Sequence, residues 1–292
     1  MDNNEPVDIL IEEQVDTQII VKAYPDLNAL FTLFFVLLFY TLIVGAIEGV
    51  FIINTQGVHL PLLESFLTMV GYVMALLLTI RYAVKKSKKQ QEASSFNFSF
   101  NKIQGWLVPL VIISTLALVV GLERVSNFIP MSDATQHFFE RMIKKDPFSI
   151  ITVVIAAPIL EEILCRGVIL KGLLKNYSPY KAILISAIFF GVIHMNPWQA
   201  LPAFCGGLFL GWVFYKTQSV IPGMFIHMTI NATASMFLFL PKNKQGFSEL
   251  FGEPYYIILC IFSALIFISG CVLIHKKALP LLSISPNNTI NY

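Results

Sequence analysis

Apolar stretches near 29–53, 60–82, 105–123, 148–175, 179–195, 198–215, 219–240 and 255–275 alternate along the chain with short polar breaks. Most approach the roughly 20 residues that carry an α-helix across a bilayer, where a helix satisfies its own backbone polar groups. The breaks hold turn and breaker signals: NTQG at 54–57, KKSKKQQEASS at 85–95, SP at 178–179, NPW at 196–198, TQS at 217–219 and PKNKQGFSELFGEP at 241–254. The pattern predicts an all-α fold, a polytopic membrane helical bundle of about eight transmembrane helices.

Composition strengthens this picture. Hydrophobic residues make up 56% of the 292 and charged residues 13%, with mean hydropathy +0.71, where a soluble domain is about a quarter charged. The lipid bilayer is therefore the first expected partner, and a net charge of +2 gives no sign of nucleic acid. Cys165, Cys205, Cys260 and Cys271 fall in apolar stretches without CxxC spacing, which reads as core packing rather than disulfides or a thiolate metal site. The opening MDNNEPVDILIEEQVD is acidic and the first apolar run comes late, so residues 1–28 are expected to form a polar tail or amphipathic segment rather than a cleavable signal peptide. With that tail in the cytoplasm, thirteen lysines and arginines fall on the cytoplasmic side and six on the other, leaving out Arg166. The six are Arg124, Arg141, Lys144, Lys145, Lys242 and Lys244. This bias predicts both termini in the cytoplasm.

Against that background some polar residues stand out. APILEEILCRG, Ala157 to Gly167, places two carboxylates and a guanidinium inside an apolar run. Charges at bilayer depth cost at least about 2.5 kcal/mol each, so they are paired, functional, or both. Glu162 and Arg166, at i and i+4, share a helix face and can neutralise one another, while Glu161 points about 100° away and is left to face a cavity as a general base. Pro158 is expected to kink the span just before them. The bland alternative is a Glu–Arg clamp with Glu161 reaching for the interface. FFGVIH, ending at His194, puts Phe190 and His194 one turn apart before the Asn196-Pro197 break, and HMTIN puts His227 and Asn231 one turn apart. Each histidine taken singly could be a satisfied core residue or interhelical glue. Together, two carboxylates, two imidazoles and an amide are what hydrolysis needs: a base for water and donors for an oxyanion.

These three motifs, EExxxR, FxxxH and HxxxN on successive spans, resemble the CAAX protease and bacteriocin-processing (CPBP) family of intramembrane endopeptidases, which includes the type II CAAX prenyl endopeptidases. The resemblance covers roughly 148–240. It divides the chain into a tail at 1–28, N-terminal helices and loops at 29–147, a catalytic core at 148–240, and a loop, last helix and cytoplasmic tail at 241–292. It implies hydrolysis of a peptide bond in a peptide or protein substrate that can be lipidated, in a prokaryotic plasma membrane. It gives Glu161, helped by His194, the task of activating water, gives His227 and Asn231 the oxyanion, and leaves Glu162, Arg166 and Phe190 as support. No cofactor is expected. The alternative is a catalytic zinc held by Glu161, His194 and His227 in the His₂Glu manner, though an asparagine suits an oxyanion better than a metal. For His194 to reach the others, the NPWQ connection must dip into the membrane, with Gly206, Gly207 and Gly211 permitting close packing of the hairpin. Two further readings compete: a non-catalytic membrane protein that binds a peptide or partner, of the bacteriocin self-immunity type, and a proton-relay transporter. The sequence does not name an oligomeric state.

Overall fold

The computed structural model describes residues 23–54, 60–91, 95–126 and 144–278. The acidic tail up to residue 22, the tail after 278, most of the NTQG turn and the cations Lys22 and Arg141 lie outside the described residues. Nine α-helices and no strand occur among those described. They are α1 Leu27–Asn54, α2 Pro61–Gln91, α3 Leu107–Ser126, α4 Pro147–Asn176, α5 Pro179–Val192, α6 Pro197–Thr217, α7 Ile221–Leu238, the short α8 Phe247–Phe251, and α9 Glu253–Lys277. The chain is an all-α polytopic bundle, and its eight long helices fall on the eight apolar stretches.

Helix starts follow local chemistry. Asp146 caps α4, its carboxylate accepting from the N–H groups of Phe148 and Ser149, with Pro147 in the first turn. Asn196 caps α6 through Gln199 N–H, followed by Pro197. Side-chain acceptors of this kind satisfy N–H groups that have no partner in the helix, and proline there gives up a donor that the helix does not need. α2 continues well past its apolar stretch because Lys85 to Gln91 are good helix formers and cations suit a helix C-terminus.

Five helices, α1, α2, α3, α4 and α9, are long and apolar enough to cross a membrane. The other three expected spans form helices that fall short of that standard. α5 has 14 residues, about 21 Å at 1.5 Å per residue, less than a hydrocarbon core. α6 and α7 are diluted by Pro, Gly and the polar residues of the candidate site, including His227 and Asn231.

α1 pairs with α2, α3 packs against α9, α7 and α6, α5 against α6, and α4 runs among α2, α5 and α7. The α5–α6 hairpin is tight: a Cβ on Gly207 would meet the Ala187 Cα at 3.2 Å, and one on Gly211 would meet Ile183 at 3.1 Å. α3 and α9 are tied by the Tyr256 hydroxyl, which donates to the Val120 carbonyl, and Glu123 at the end of α3 accepts from two N–H groups that open α8. Asn176, ending α4, holds Ala23 by both its N–H and its carbonyl. All four cysteines are free, and Cys165 is buried.

Candidate active site

α4 is not a uniform α-helix. Two π-helical stretches, Thr152–Ala156 and Ile163–Leu170, flank an α-helical segment Ala157–Glu162 that ends on the glutamate pair. The first stretch follows from the sequence. Ala157 N–H bonds the Thr152 carbonyl, five residues back, so it no longer serves Val153. The next candidate donor is Pro158, which has no N–H. The Val153 carbonyl is thus left over by its own helix, and Asn231 of α7 donates its side-chain N–H to it at 2.8 Å. A carbonyl can only accept, so this contact fixes which end of the Asn231 amide is nitrogen and leaves one more N–H on that nitrogen. The bend expected at Pro158 takes the form of this wide turn.

The pair one turn further along separates as the helical geometry requires. Arg166 Nη1 donates to Glu162 Oε1 at 2.7 Å, and both side chains are fully buried. Arg166 Nη2 reaches the Gly207 carbonyl at 3.3 Å, and the guanidinium lies 4.5 Å from the centre of the Phe190 ring. Glu162 Oε2 presses on α7 where Gly223 stands; a Cβ there would approach it to 2.7 Å. Gly223 is a packing residue that no motif signalled.

Glu161 is also buried, and its two oxygens differ. Oε1 accepts a hydrogen bond from the Tyr72 hydroxyl of α2. Oε2 has no hydrogen-bond partner among the described residues and lies 3.9 Å from His227 Nε2. His227 Nδ1 faces Glu162 Oε1 at 3.3 Å, a carboxylate that only accepts, so Nδ1 carries a hydrogen and Nε2 is turned toward Glu161. His194 sits in the turn after α5, its Nδ1 donating to the Phe190 carbonyl at 2.8 Å, which leaves its Nε2 unengaged by that bond. Phe190 is the hub: both imidazoles stand edge-on to its ring, with centroids 5.2 Å (His194) and 5.3 Å (His227) away.

The seven residues singled out in the sequence therefore occupy one neighbourhood. Glu161, Glu162 and His227 are in mutual contact, His194 joins them through Phe190, and Asn231 joins through the first turns of α4. Tyr72 was not found from sequence, because a lone tyrosine in an apolar helix has no spacing relation to anything.

The segment that carries this arrangement matches a known family. Residues 144–233 match the family described as type II CAAX prenyl endopeptidase Rce1-like. All seven residues fall inside the matched segment, and Tyr72 falls outside it. The chain is also similar to the candidate membrane peptidase YdiL of Bacillus subtilis (strain 168), at 26% identity over 178 residues, 59% of this chain and 70% of the relative. No solved structure matches the chain. Among the described residues no three His, Cys, Asp or Glu side chains gather as metal ligands. Of the residues in the zinc alternative, Glu161 gives Oε1 to Tyr72, His194 gives Nδ1 to Phe190 and His227 gives Nδ1 to Glu162, which leaves Glu161 Oε2 and both Nε2 atoms outside those bonds.

Proposed function

We propose that the protein is an intramembrane endopeptidase in which Glu161 activates a water molecule for attack on a peptide carbonyl. The observation that carries this reading is the asymmetry of Glu161, a buried carboxylate with one oxygen held by Tyr72 and the other free beside His227. The match of residues 144–233 to an endopeptidase family supports it. Glu161, with His194, takes a proton from water as its oxygen attacks the carbonyl carbon. The remaining N–H of Asn231 faces the developing oxyanion, joined by His227 Nε2–H when the ring carries its second proton. Collapse of the tetrahedral intermediate breaks the C–N bond, and the proton passes to the leaving amine, giving one carboxylate and one amine per water consumed. Glu162 and Arg166, joined through Phe190 and Gly207, hold the helices that present these groups. No step passes through a metal.

The substrate class proposed is a lipidated peptide or protein approached from the bilayer, and the orientation proposed places both termini in the cytoplasm of a prokaryotic cell. The test is to reconstitute the purified protein in phospholipid vesicles with an internally quenched farnesylated peptide ending in Cys-aliphatic-aliphatic-X, and to identify products by mass spectrometry. The reading expects a single internal cleavage that excess chelator leaves unchanged. Absence of turnover contradicts it, and protection against a membrane-active peptide without turnover supports the self-immunity alternative instead. Chelator-sensitive turnover would overturn the metal-free mechanism.

A further inference from the structure

We infer that Tyr72 is a positioning residue for Glu161, and that its hydroxyl selects Glu161 Oε2 as the oxygen that receives the proton from water. This rests on the endopeptidase reading and adds to it a residue from the N-terminal half of the chain, outside the segment that matches the family.

The geometry points there from two sides. Tyr72 lies on α2, which is joined to the start of α4 by the Ser65 hydroxyl donating to Asp146 at 2.9 Å. Ser65 and Tyr72 are seven residues apart, about two turns, and so lie on the same face of α2. That face meets α4, and Tyr72 delivers its O–H to Glu161 Oε1. The opposite oxygen, Oε2, is buried without a partner and lies 3.9 Å from His227 Nε2. That separation is longer than a hydrogen bond, so His227 does not hold Oε2 as Tyr72 holds Oε1.

A glutamate carboxylate turns easily about its last bond, a broad, roughly two-fold torsion. Without a donor on Oε1 the group is free to rotate among orientations. Tyr72 removes that freedom before substrate arrives. It is placed to touch Glu161 rather than the peptide.

Such a residue affects kcat and leaves KM alone. The experiment compares wild type with Tyr72→Phe in the same vesicles with the same farnesylated quenched peptide, recording kcat, KM and the thermal unfolding midpoint. Loss of a hydrogen bond to a charged group predicts a fall in kcat of roughly tenfold or more, with KM and the midpoint unchanged. An unchanged kcat overturns the inference, as does a raised KM at constant kcat. A midpoint that falls together with activity also overturns it, because the contact would then hold helices rather than a carboxylate. Wild-type protein without turnover is a different result: it removes the endopeptidase reading itself, and the role of Tyr72 falls with it.

Discussion

At the scale of single residues, the same helix carries one glutamate that is neutralised and another that is not. Glu162 is fully enclosed and shares Oε1 between Arg166 at 2.7 Å and His227 at 3.3 Å. Breaking a buried pair by removing one member strands the other charge and costs about 3–5 kcal/mol, whereas removing both charges together costs much less. Arg166→Ala is therefore expected to lower the thermal midpoint severely or prevent accumulation of folded protein, and Glu162→Gln/Arg166→Met to recover part of the loss, as read by unfolding in detergent. Equal damage from the single and double replacements would show that the pair is not what the fold depends on. This division of labour was legible in the sequence, because i and i+4 share a face in any helix. Tyr72 was not legible: its partner stands 89 residues away, and only the packing of α2 on α4 brings them together.

At the scale of elements, the wide turn at Thr152–Ala156 ties the start of α4 to α7. The sequence announced a break at Pro158, but not that the carbonyl left over at Val153 would be served by Asn231 from another helix. This contact orients the amide proposed for the oxyanion, so one side chain joins architecture to chemistry. Asn231→Leu is expected to lower stability by about 1 kcal/mol, the net worth of a part-buried hydrogen bond lost at Val153. Pro158→Ala restores a backbone N–H within reach of Val153, and is expected to cancel part of that loss in the double variant. Chemical denaturation of the four proteins in detergent measures the coupling. Strict additivity would mean that the carbonyl does not depend on Asn231. The short α5 also follows from the sequence, through the Asn196-Pro197 break that stops it and begins α6. His194 stands in that break.

At the scale of the whole molecule, apolar runs alone were enough to anticipate an all-α membrane bundle and its eight long helices. They overstated how many are apolar enough to cross on their own, because α5 is cut short at Asn196-Pro197, α6 is diluted by Pro and Gly, and α7 carries His227 and Asn231. A bundle is stable with such helices because its other members face lipid: α1 and α9 leave most of their apolar side chains exposed, including Phe31, Ile47, Ile261 and Phe262. In the mechanism proposed above, this bundle makes one carboxylate, Glu161, a base for water. Replacing it by glutamine keeps size and hydrogen bonding while removing the base. The decisive measurement is the turnover number of Glu161→Gln against wild type in phospholipid vesicles, with the unfolding midpoint of each recorded alongside. Turnover is expected to fall roughly a hundredfold to ten-thousandfold at a midpoint no lower than that of wild type. Turnover at the wild-type rate in a folded Glu161→Gln protein would contradict that mechanism.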